Sequence, residues 1–165
     1  LLAGTSKSNK SWCLLELAMC VASGAKWWGR RCAMMPVVYI NFELPDFAFQ
    51  HRLEAIARQK GIADFSGIDL WNLRGFATDF SVLIPKILSR VKDERYALIV
   101  LDPIYKGLGK RDENKAGDIA SLCNEIEPLP SFSAPDQTAC AVRFIGCLLG
   151  GCVPEDNIGP LGVRE

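Results

Sequence analysis

Histidine occurs once, as His51, and the cysteines Cys13, Cys20, Cys32, Cys123, Cys140, Cys147 and Cys152 include no Cys-x-x-Cys pair. Zinc-ligand spacing is therefore missing, and the odd count of seven argues for reduced thiols acting as small core residues rather than for a disulfide framework. An excess of one charge is lacking too, because 19 Lys and Arg balance 19 Asp and Glu. A nucleic-acid partner usually leaves a strongly basic balance, so any such partner here meets a local patch. No apolar run approaches the roughly 20 residues that cross a bilayer. The longest, residues 12–22, is interrupted by Glu16. The opening Leu1-Leu2-Ala3-Gly4 has no basic head of a secretory signal. The expected compartment is the cytoplasm.

What is present is a chain of 165 residues, close to half of them apolar, a size and composition that support one globular core. Leu1-Leu2-Ala3 reads as the tail of a strand, the polar run 4–9 as a loop, and residues 11–23 as a helix apolar almost all round, stopped by Gly24. Further along, 37–42 is a β-rich run, 47–60 has helical spacing at Leu53, Ile56 and Ala57, and Gly61 closes it. Residues 68–73 make a short strand. Asp79 can cap a helix over 80–92, in which Pro85 lies early enough to be tolerated. The apolar run 96–101 reads as a strand buried on both faces, and Ala116, Ile119, Ala120, Cys123 and Ile126 mark one more helix. This alternation predicts an α/β fold, a doubly wound, mostly parallel sheet with flanking helices. Beyond Glu127 the pattern is broken by Pro128, Pro130 and Pro135, and only 140–145 has strand character.

The stretch Gly4-Thr5-Ser6-Lys7-Ser8-Asn9-Lys10-Ser11 fits the phosphate-loop pattern GxxxxGK[ST] except that Asn9 replaces the second glycine. Such a loop points backbone N–H groups at a phosphate, places a lysine on the outer phosphates and a hydroxyl on magnesium at a helix N-terminus. Lys10 and Ser11 suit the last two roles. The residue before the lysine needs unusual dihedrals, and asparagine is among the few residues that visit the left-handed region readily. A polar helix-capping turn that binds nothing is the competing reading of the same residues. Context favours the loop, because Leu98-Ile99-Val100-Leu101-Asp102 is an apolar strand ending in a carboxylate that can hold magnesium through water.

Leu2-Ala3-Gly4 to Trp12, Tyr39-Ile40-Asn41-Phe42-Glu43, Trp71-Asn72-Leu73-Arg74-Gly75 and above all the run from Leu101-Asp102-Pro103 to Arg111-Asp112-Glu113-Asn114 carry a family resemblance. These segments resemble the RecA-like P-loop ATPases of the AAA family related to the RepA-type hexameric replicative helicases of plasmids and mobile elements. The resemblance covers residues 1–129. It implies a RecA-like core that binds ATP and magnesium, with Gly4, Thr5, Ser6, Lys7, Ser8, Asn9, Lys10, Ser11 and Trp12 around the nucleotide. It further implies Ser11 and Asp102 on the metal, Lys10 and Glu43 in catalysis with Glu43 polarising the attacking water, and, as partners, single-stranded DNA and a hexamer of the full-length protein. After Leu129 the family's polar sensor and its arginine for the neighbouring subunit cannot be placed. Residues 130–165 are therefore expected to be a divergent or frame-shifted, poorly ordered tail, and the chain a fragment truncated at both ends.

Other residues admit two readings each. His51 lies on the polar side of its helix, where exposure competes with a role as a base. Trp27 and Trp28 can stack a nucleic base or pack a loop. Lys106, Lys110 and Arg111 form either solvated charge or a contact to a phosphate backbone. At the level of the chain, a DNA-coupled ATPase competes with a nucleotide-binding module without turnover. A small-molecule kinase would need a lid and substrate-binding arginines, and the sequence shows no lid signature.

Overall fold

Parallel strands buried on both faces organise the molecule. The computed structural model describes residues 2–4, 8–76, 79–91, 96–109, 111, 115–126 and 143–149. In chain order these form β1 (Leu2–Gly4), α1 (Lys10–Ser23), β2 (Lys26–Trp27), β3 (Arg30–Arg31), β4 (Val37–Asn41), α2 (Asp46–Lys60), β5 (Ile68–Asn72), α3 (Phe80–Val91), β6 (Leu98–Asp102), a 3-10 turn (Ile104–Gly107), α4 (Ala116–Ile126) and β7 (Arg143–Leu149). β1, β7, β6, β4 and β5 pair in that order into one sheet, every pair parallel, while β2 and β3 make a separate antiparallel hairpin.

Side chains alternate across the sheet as a period of two requires. Val37, Tyr39, Leu98 and Val100 face one layer, where they meet Leu14, Leu15, Ala18 and Met19 of α1 and Phe49, Leu53 and Ile56 of α2. Val38, Ile40, Ile99 and Leu101 face the other and meet Phe80, Leu83, Ile84 and Ile87 of α3. Burial of each such side chain stabilises by about 1.5–3 kcal/mol, which is why β4 and β6 are apolar along their length. β5, at the sheet edge, is only half-buried and tolerates Asp69 and Asn72.

Helix ends follow the residues expected to set them. Gly24 ends α1 at φ 71° and Gly61 ends α2 at φ 67°, its N–H donating to the Ala57 carbonyl. Asp79 opens α3, its Oδ1 accepting from the Ser81 N–H at 3.0 Å. Two differences are local. The Trp27–Gly29 segment, expected as loop, belongs to a hairpin, Trp27 ending β2 and Trp28 (φ 47°) and Gly29 (φ 79°) forming its turn with positive φ. The second is β7, offset by a few residues from the expected 140–145 and inserted between β1 and β6. The boundary expected after Leu129 and the remainder of the tail fall outside the described residues.

Candidate functional site

The five strands of the main sheet run the same way, so their carboxyl ends share one edge, and α1 begins six residues after β1 ends at that edge. There Asn72, Asn41 and Asp102 stand in register across β5, β4 and β6. Asp102 and Asn41 continue the alternation of Val100 and Tyr39, which places both on the α1 side of the sheet.

Of the phosphate-loop residues, Gly4 is the last residue of β1, and Thr5, Ser6 and Lys7 lie outside the described residues. Ser8 and Asn9 are exposed, Lys10 is buried, and Ser11 and Trp12 are half-buried. Asn9 sits in the left-handed region at φ 58° and ψ 24° and gives no side-chain cap to α1. Neither does an acidic side chain occupy the first turn of α1. The positive end of the helix is thus not neutralised from within its first turn, a setting that favours an anion. Lys10, only 8% exposed, donates from Nζ to the Ser8 hydroxyl at 3.1 Å, which turns its ammonium back toward the residues just before α1.

Asp102 is buried, 2% exposed, and its Oδ2 accepts a 2.6 Å hydrogen bond from the Tyr39 hydroxyl. That buried hydrogen bond holds the Asp102 side chain in one orientation. Glu43 lies two residues past the end of β4 and is exposed. Its turn is built on Asn41, whose Oδ1 accepts from the N–H groups of Glu43 (3.2 Å) and Leu44 (2.9 Å). The Asn41 Nδ2 donates to the Leu44 carbonyl at 2.7 Å and to Asn72 Oδ1 at 3.1 Å. A fully buried amide satisfied at both ends is a rigid support, since any partner removed leaves an expensive orphan. Tyr39, Asn41 and Asn72 escaped the motif reading. Asparagine is depleted in strands, so the asparagines ending two strands, Asn41 and Asn72, were the signal.

Ser11 and Asp102 supply a hydroxyl and a carboxylate, hard oxygen donors of the type magnesium takes alongside water and phosphate oxygens. Among the described residues no group of three or more His, Cys, Asp or Glu could hold a metal by itself. The other sequence candidates separate. His51 is exposed, Lys106 is exposed with Nζ 5.1 Å from the centre of the Tyr105 ring, and Arg111 pairs with Asp79 at 3.4 Å. Lys110 is outside the described residues, so no joint basic patch can be built from these three. No described helix is long and apolar enough to cross a membrane.

A search of curated proteins finds no match. A family model described as "AAA domain" matches residues 1–132, which include the loop before Lys10, the turn at Glu43 and the strand end at Asp102. The parallel sheet with helices on both faces is compatible with a P-loop NTPase core. The match extends over most of the chain and points to a nucleotide-binding ATPase domain, and the chain belongs to the AAA domain family.

Proposed function

We propose that this chain is the magnesium-dependent ATP-binding and ATP-hydrolysing domain of a replicative DNA helicase of the plasmid or mobile-element type. One observation carries the reading. A lysine buried at the start of α1, behind a left-handed residue, shares an edge and a face of the sheet with a buried carboxylate at the end of β6. Lys10 holds the outer phosphates by charge and hydrogen bonds, and Ser11 and Asp102 hold the metal. Magnesium, when bound, supplies neutralisation of phosphate charge. Glu43 orients a water for in-line attack and accepts its proton at a carboxylate oxygen, with Asn41 holding the backbone of that turn. The full-length protein assembles as a hexamer and couples turnover to single-stranded DNA. A second reading, binding without turnover, is favoured by Asn9 standing where the loop pattern has glycine.

Titration calorimetry with ATP and magnesium tests the reading. Lys10→Ala is expected to remove most of the affinity, because it deletes the charge that meets the phosphates. Equal affinity in the wild-type chain and this variant would mean that the site lies elsewhere.

A further inference from the structure

Beside α1 a cleft of about 350 Å³ opens, walled by Asn9 just before the helix, Trp12 and Glu16 of α1, Trp28 of the hairpin turn, and Gln59 and Lys60 at the end of α2. It begins at the residue that precedes Lys10. From Asn9 to Glu16 the helix advances roughly 10 Å at about 1.5 Å per residue, so the cleft runs away from the phosphate loop by about the reach of a nucleoside. Its volume lies at the small end of the roughly 300–1,000 Å³ of ligand clefts.

The walls are held in place. Lys60 pairs with Glu16 and also donates to the Lys26 carbonyl at 3.2 Å, so one ammonium ties α2 to α1 and to the hairpin. Because that ammonium is matched by a carboxylate, the pair adds no net charge to the cleft. Burial, with Glu16 nearby, raises the Cys13 thiol above its ordinary value and keeps this lining residue neutral. Such a lining suits an uncharged ligand rather than a second phosphate.

Trp28 makes the ligand aromatic. It stacks on Trp27 with ring centres 4.3 Å apart and 11° between planes, which supports the indole from one side and leaves its opposite face clear of Trp27. Yet Trp28 is 71% exposed and holds φ 47°, a region bulky side chains rarely adopt. A two-residue hairpin turn normally takes asparagine, aspartate or glycine there. Covering the exposed ring with a flat ligand recovers apolar burial that the folded chain alone forgoes. At the rim, the Gln59 amide offers both a donor and an acceptor to a heterocycle edge.

We propose that this cleft receives the base and sugar of the nucleotide whose phosphates lie on the loop before Lys10, with the base stacked on Trp28. The inference rests on the phosphate-loop reading above. Calorimetric titrations of wild type, Trp28→Ala, Trp28→Phe and Lys10→Ala with magnesium ATP and with magnesium tripolyphosphate, which has no nucleoside, test it. Trp28→Ala is expected to weaken ATP about tenfold, within the range that loss of an aromatic stacking partner gives, and to leave tripolyphosphate unchanged. Trp28→Phe keeps most of the ATP affinity, and Lys10→Ala weakens both ligands. ATP binding indifferent to Trp28→Ala, or an equal loss for both ligands, overturns the cleft assignment while the phosphate loop stands. Failure of both ligands to bind the wild-type chain overturns the loop reading and this inference with it.

Discussion

Asn9 shows what a single residue contributes to the site. Its left-handed backbone, φ 58° and ψ 24°, is the conformation the loop needs immediately before Lys10, and its side chain gives no cap in return. Left-handed geometry costs an ordinary L-residue roughly 1–2 kcal/mol, less for asparagine and nothing comparable for glycine. Asn9→Gly therefore removes strain and lets the backbone approach a phosphate more closely, against the larger freedom glycine loses on ordering. The expected balance is ATP bound up to about fivefold more tightly, equivalent to roughly 1 kcal/mol, measured by calorimetry against wild type. A weaker-binding glycine variant would show that the amide makes a contact of its own. Asn41 is the opposite case, a buried side chain three of whose four hydrogen bonds shape the backbone at Glu43 and Leu44.

Among the elements, α3 carries a pH dependence at its start. Asp79 caps the helix through the Ser81 N–H and pairs with Arg111, and the Ser81 N–H, with Arg111 adding to it, holds its carboxyl below the ordinary value. A carboxyl lowered by folding contributes stability that is complete above its unfolded pKa and is lost as pH falls through the folded one, here below about pH 4. Asp79→Asn keeps a capping oxygen but cannot titrate. Wild type is expected to lose roughly 0.3–1 kcal/mol more stability than this variant between pH 5 and pH 3, the usual scale for a partly exposed charge at a helix N-terminus. Urea denaturation at the two pH values measures the difference, and parallel losses would remove Asp79 as the titrating group. The close fit of this helix start against the loop after β6 has the same origin, since a Cβ on Gly107 would run into the Phe80 ring and one on Gly109 into the Asp79 carboxylate. Elements such as α1, α2, α3, β4 and β6 were legible in the sequence because apolar periodicity and the glycines after α1 and α2 state them locally. The β2–β3 hairpin was not, because its turn carries Trp28 where asparagine or glycine marks such turns. Nor was the clamp of Lys60 on Glu16, a contact 44 residues apart by number that only the packing of α2 on α1 creates. Lys10 and Asp102 could be singled out from motif spacing and Glu43 from the family resemblance, whereas Tyr39 and Asn72 act only through strand register.

At the scale of the whole molecule the question is turnover. Glu43 is exposed at the carboxyl edge of the sheet, on a turn fixed by Asn41, so its carboxylate has a rigid base and room for a water. Glu43→Gln preserves the shape of the side chain and removes its ability to accept a proton. Binding of magnesium ATP is expected to stay within about twofold of wild type, while hydrolysis falls by about 10²–10⁴, the usual contribution of a positioned base. The absolute rate of the isolated chain is expected to be low even before mutation. In related phosphoryl-transfer sites an arginine supplied by a neighbour contributes roughly 10³–10⁵, and a hexameric assembly would deliver that group only between subunits. Single-stranded DNA is expected to raise the wild-type rate and to leave Glu43→Gln inactive, because coupling acts on the same chemical step. Phosphate release, measured for both chains with and without single-stranded DNA, checks each part. Brisk hydrolysis that ignores both DNA and the substitution would remove Glu43 from the chemistry and the helicase assignment with it, while leaving the phosphate loop to be judged by Lys10→Ala.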